Sequence, residues 1–132
     1  MYLKRAIDAY QTTVSTTTPM LDTMIELLDE MGNVLQSMQN EIKQQENIEL
    51  SDSLKKLQYA LFELMAVVDH QTEEGERLFL LYVSLNQTLV AVQLHKQYEL
   101  LPEIREQVKG LAEAWTEARQ NQRLQRYQTD TV

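Results

Sequence analysis

The run TPMLDTMIELLDEMGNVLQSMQNEI, residues 18–42, carries Leu21, Met24, Leu28, Met31, Leu35, Met38 and Ile42 at alternating spacings of three and four. That rhythm puts all seven side chains on one side of an α-helix, as a seam that has to pack against other helices. Thr18 is placed to cap the helix, and Pro19 fits the first turn, where no amide hydrogen is needed. From Pro19 to Ile42 the helix would be about 36 Å long at about 1.5 Å per residue. The rest of the chain must supply partners for so long an apolar stripe.

Working outward, three further segments repeat the rhythm. Leu54, Leu57, Leu61, Leu64 and Val68 follow Ser51, a plausible cap, and Asp52, an acid suited to the first turn. The segment His70 to Glu76, with Gly75 inside it, is the next break. A third helix is expected from Glu73 or Glu74 to Lys96, with Leu78, Leu81 or Tyr82, Leu85, Leu89 and Val92 as its seam. A second row on that helix, Phe79, Val83, Val90 and Leu94, makes it apolar nearly all round. A fourth begins near Pro102 and carries Leu101, Ile104, Val108, Leu111, Trp115 and Ala118; beyond this the apolar pattern thins to Leu124 and Tyr127.

The fold expected is therefore all-α, an antiparallel four-helix bundle over residues 18–120. Residues 1–17 are expected as a mobile N-terminal arm with Ile7, Ala9, Tyr10 and Val14 as apolar islands. The hydroxyl-rich, β-branched run at its end discourages a stable helix before Thr18. Residues 121–132 are expected as a short polar tail. Three glycines and two prolines leave too little turn chemistry for a sheet, and 132 residues suit one domain.

Composition narrows function. The net charge is −8 and the isoelectric point near 4.7, which disfavours nucleic acid as a partner. The short basic clusters, Lys4-Arg5 and Arg119, Arg123 and Arg126, read as solvated helix ends. Without cysteine there is no disulfide framework and no thiolate metal site, which suits a reducing cytoplasm. The N-terminus has no apolar stretch or cleavage site, so no signal peptide is expected. Leu78 to Leu94 is uncharged but interrupted by Ser84, Asn86, Gln87 and Thr88. It is short of the roughly 20 apolar residues of a membrane span, and reads as a buried helix of a soluble protein, with no membrane insertion.

No catalytic set emerges. The di-iron bundle signature pairs a Glu with a His three positions later, and Val67 and Val92 stand at those positions before His70 and His95. Glu26, Asp29 and Glu30 flank the first seam and read as a solvated face. Glycine-rich phosphate loops, HExxH and nucleophile elbows are absent. The expectation is a protein that is no enzyme, with no metal and no cofactor. What remains is apolar surface: Phe62 and Met65 lie off the second seam, and Phe79, Val83, Val90 and Leu94 off the third. Such rows either serve a central helix internally or line a groove for an amphipathic partner.

Leu81-Tyr82, followed by Leu85, Leu89, Val92, Leu94, Leu101, Ile104, Val108, Leu111 and Ala114-Trp115, resembles the flagellar secretion chaperone (FliS) family. Ile7 and Ala9-Tyr10-Gln11 resemble its N-terminal arm, and Thr18-Pro19 its short polar residue before proline. The family's Leu-Tyr-acid-Gly has Leu28-Asp29-Glu30-Met31 as its nearest counterpart. The resemblance implies a cytoplasmic four-helix bundle that binds the disordered C-terminal segment of flagellin, prevents its premature polymerisation, and delivers it to an export-gate component of the flagellar secretion apparatus. It also implies that the arm covers part of the binding surface, with Ile7 and Tyr10 as pseudo-ligands. The candidate partner-binding residues are then Ile7, Tyr10, Phe62, Met65, Phe79, Tyr82, Val83, Val90 and Leu94. Two alternatives are a secretion chaperone for another flagellar cargo and a structural helical homo-oligomer.

Overall fold

The computed structural model describes residues 2–13, 17–44 and 49–130, with side chains over 5–11, 17–44 and 49–125. Val14, residues 45–48 and the side chains of Lys4, Arg126 and Tyr127 lie outside the described residues. The described chain is all-helical: α1 Tyr2–Thr13, α2 Thr18–Gln44, α3 Ser51–Val67, α4 Glu73–His95 and α5 Leu101–Asp130, with a 3-10 turn at Tyr98–Leu100 before α5.

The four long seams fold as their spacing predicts. Leu21, Met24, Leu28, Met31, Leu35 and Met38 of α2 are buried, and Ile42 is half-buried against them. So are Leu54, Leu57, Leu61 and Leu64 of α3 and the Val68 that follows it; Leu78, Leu85, Leu89 and Val92 of α4; and Leu101, Ile104, Val108, Leu111, Trp115 and Ala118 of α5. Between Leu81 and Tyr82 the structure chooses Tyr82, which is fully buried, while Leu81 packs half-buried beside it.

Helices α2 and α3 start one residue earlier than expected, while α4 starts at Glu73 as expected. Thr17, not Thr18, caps α2: its hydroxyl accepts from the Met20 amide (3.3 Å) and its carbonyl from the Leu21 amide (3.0 Å). Thr18 is already helical, so its hydroxyl points sideways and donates to Gln122 Oε1 of α5 (3.0 Å). Ser51 is likewise the first residue of α3 and not its cap; its amide donates to Glu49 Oε1 (2.9 Å). At α4, Thr72 adopts extended backbone and its hydroxyl accepts from the Gly75 amide (3.0 Å), a capping bond. Gly75 itself is required: a Cβ there would overlap the Asp69 carbonyl. Helix α4 ends at Lys96, whose left-handed backbone (φ 52°) turns the chain toward α5.

Packing follows from which seams face which. Helix α2 packs against α5 and α3, and α3 against α4. Polar bonds fix the α2–α5 direction: the start of α2 meets the end of α5 through Thr18–Gln122 and the Asp22–Arg119 ion pair (2.8 Å). Its far end meets the start of α5 through Gln39–Arg105 (3.2 Å). The two helices are antiparallel. Arg119 is thus an inter-helix tie, which corrects its reading as a purely solvated end.

The ends of the chain depart most from expectation. Residues 2–13 are helix α1 and not an unstructured arm. Ile7 is 0% exposed and Tyr10 2%, because α1 lies between α4 and α5, which touch each other only sparingly. Residues 121–130 continue α5 and do not form a separate tail. Helix α4 is also long and apolar enough, by length and composition, to cross a membrane, against the expectation that it falls short. Leu78, Tyr82, Leu85, Leu89 and Val92 nonetheless form its inward face within this protein.

Candidate partner-binding site

The seat of α1 is built from aromatic side chains of the two helices it separates. Trp115, on the α5 seam, is fully buried and its indole N–H donates to the Tyr82 hydroxyl of α4 (3.1 Å). Burial pushes the Tyr82 phenol well above its ordinary value, the bond from Trp115 opposing this only in part, so it stays a neutral acceptor. Tyr10 meets the Trp115 ring edge to face, centroids 6.0 Å apart and planes at 81°. Its hydroxyl accepts from the Asp69 amide (3.1 Å), in the turn between α3 and α4. Ile7 lies one turn earlier on the same side of α1 and fills the apolar part of the seat. Among the described residues, the buried Ile7 and Tyr10 side chains and the bond from the Asp69 amide to the Tyr10 hydroxyl hold α1 between α4 and α5.

The candidate residues separate into two sets. Ile7, Tyr10 and Tyr82 are buried beneath or within α1's seat. The others are less buried: Phe62 is 49% exposed and Met65 half-buried on α3, while on α4 Phe79, Val83 and Val90 are half-buried and Leu94 is 69% exposed. Phe79 stacks obliquely on His70 (5.2 Å), next to the residue whose amide holds Tyr10. Exposed Tyr59, Leu80 and Leu124 are not among the sequence candidates: Leu80 lies in the unbroken apolar run Phe79 to Val83, where spacing alone defines no face, and Tyr59 and Leu124 belong to no repeating row. Also unforeseen is a groove of about 930 Å³ between α2 and α5, lined by Leu28, Gly32, Arg105, Val108 and Ala112 among others.

No group of three or more His, Asp or Glu side chains that could hold a metal ion occurs among the described residues. His70 and His95 are exposed. What the arrangement offers is shape: a short helix packed between two others, with half-buried and exposed apolar residues on α3 and α4. The family model of the flagellar protein FliS matches residues 3–122, and the chain belongs to that family. The family implies a flagellar export chaperone. Searches of curated proteins and of solved structures each gave no match.

Proposed function

We propose that the chain binds the disordered C-terminal segment of flagellin in the cytoplasm, keeps it from polymerising early, and hands it to an export-gate component, without inserting into the membrane. Helices α2–α5 form the antiparallel four-helix framework, and α1 is a removable stand-in for cargo. The observation that carries this reading is the placing of Ile7 and Tyr10, on a twelve-residue helix, between α4 and α5. A helix that short is marginal in water, so it holds its form only while seated. Family membership supports the reading independently. Cargo pays an ordering cost when it folds on the chaperone, and a large apolar surface offsets that cost. Phe62 and Met65 on α3 and Phe79, Val83, Val90 and Leu94 on α4 supply such surface.

A seated α1 lowers apparent cargo affinity by the fraction of molecules in which the seat is open. Binding of a flagellin C-terminal peptide, followed by calorimetry and by hydrogen exchange, tests this. Amides of α1 should exchange faster once peptide is bound, and Phe79→Ser should weaken binding while most folding stability is kept. Greater protection of α1 with peptide would rule out displacement. A wild-type chain that binds no peptide would remove the flagellin reading altogether.

A further inference from the structure

On α4, Phe79, Val83, Asn86, Val90 and Leu94 recur at spacings of four, three, four and four, so they form one row along the helix. The row lies to that side of the buried seam on which Tyr82 stands. Asn86 is its polar member, and its side-chain carbonyl oxygen is shut off from solvent with no hydrogen-bond partner. Helix α1 packs against α4, and the side-chain amide nitrogen of its Gln11 is also buried without a partner. An unmet donor on α1 and an unmet acceptor on α4 thus coexist without pairing. Buried polar groups left this way disfavour the state that contains them.

We propose that Asn86 sets the register and selectivity of the helical segment that docks on this row. It does so by accepting a hydrogen bond from an Asn, Gln, Ser or Thr side chain in the segment's apolar stripe. The inference rests on the export-chaperone reading and adds the chemistry of recognition to it. An otherwise apolar row would let an amphipathic helix slide by a turn at little cost. One buried amide in it penalises every register except the one that brings it a donor, as a single Asn does in a helical zipper. Helix α1 does not meet Asn86, so a segment that does gains over α1 at that position. The mismatch therefore favours exchange of α1 for cargo.

The test is calorimetric titration of the full chain and of Asn86→Leu with a flagellin C-terminal peptide. Leucine keeps the bulk, removes the acceptor and makes the row more apolar. A row that was merely sticky would bind tighter after this change, whereas the register role predicts about tenfold weaker binding, equivalent to about 1.4 kcal/mol. Replacing each Asn, Gln, Ser and Thr of the peptide by alanine should reveal one position with a similar loss that does not add to the loss from Asn86→Leu. Losses that add at every position would mean that Asn86 acts on the seating of α1 and not on cargo, and would overturn the proposal. So would unchanged or tighter binding by Asn86→Leu. If that variant does not fold, Asn86→Gln makes the same test, since it moves the acceptor by one methylene and should also lose affinity. A wild type that binds no peptide refutes the chaperone reading; a wild type that binds, with the variants unaffected, refutes only the role of Asn86.

Discussion

Replacing Tyr82 with phenylalanine removes one oxygen atom from the most enclosed polar contact of the core. Tyr82 and Trp115 are both 0% exposed and joined at 3.1 Å. Without the hydroxyl, the indole N–H stays buried with no acceptor, which costs about 1–3 kcal/mol. Phenylalanine leaves almost no cavity and is easier to bury than tyrosine, so the net loss should fall at about 1–2 kcal/mol. With an unfolding entropy of about 2.1 cal/mol/K per residue, a chain of this size should lose about 4–7 °C in Tm. Trp115 is the only tryptophan, so denaturant unfolding followed by its fluorescence reads stability and local environment together.

The pH dependence sharpens the same experiment. Burial raises the Tyr82 phenol above its ordinary value of 10.0. Above about pH 10 the unfolded chain therefore releases this proton while the native chain keeps it, and native stability falls as pH rises. Tyr82→Phe should lack that alkaline slope, and between pH 6 and 9 its deficit should be constant. In a cycle with Trp115→Phe the two losses should fail to add. A Tyr82→Phe variant within about 0.3 kcal/mol of wild type, well under the cost of an unmet buried donor, would show that the bond is not a stabilising feature of the core.

Two glycines should respond in opposite directions to alanine. At Gly32 nothing lies within 4 Å of an added Cβ, so Gly32→Ala should stabilise α2 by about 0.5–1 kcal/mol in denaturant unfolding. At Gly75 the new Cβ would overlap the Asp69 carbonyl and press on Thr72 Oγ1. Gly75→Ala should destabilise by about 2–4 kcal/mol and speed exchange in α1, because the same turn donates to Tyr10. Equal melting of Gly75→Ala and wild type would contradict that geometry. Hydrogen bonding from the Ser51 side chain, then from its amide, holds the Glu49 carboxyl below the ordinary value of 4.5. Its support for the start of α3 is thus present above the unfolded value and lost as pH falls through the lowered one. The Ser51 amide NMR shift should titrate with a midpoint below 4.5; a midpoint above it would refute the contact.

The long helices were legible in the sequence because each carries its own signal. A seam such as Leu21, Met24, Leu28, Met31, Leu35 and Met38 repeats often enough to define a face by itself, and every one of these residues is buried. Hydrophobic burial is non-directional, so a periodic stripe fixes which side turns inward without specifying the neighbour. The same pattern, continued through Leu81-Tyr82 to Ala114-Trp115, carried the family resemblance that the match over residues 3–122 bears out.

Helix α1 could not be read this way. Among its described side chains, Ile7 and Tyr10 are the apolar residues that become buried, and two contacts do not make a seam. The helix exists because α4 and α5 stand apart and leave Trp115 and the Asp69 amide facing a gap. The end of α5 was hidden for the same reason: Arg119 and Gln122 look like solvent residues until Asp22 and Thr18 are brought across from α2. Asn86 passed as one polar interruption among four until packing closed over its carbonyl and left it unpaired. A hydrogen bond is short and directional, so its presence or absence depends on placing residues far apart in sequence within about 3 Å of each other. Local periodicity determines which faces are apolar; only the assembled tertiary structure decides which polar groups find partners and which short segments find a seat.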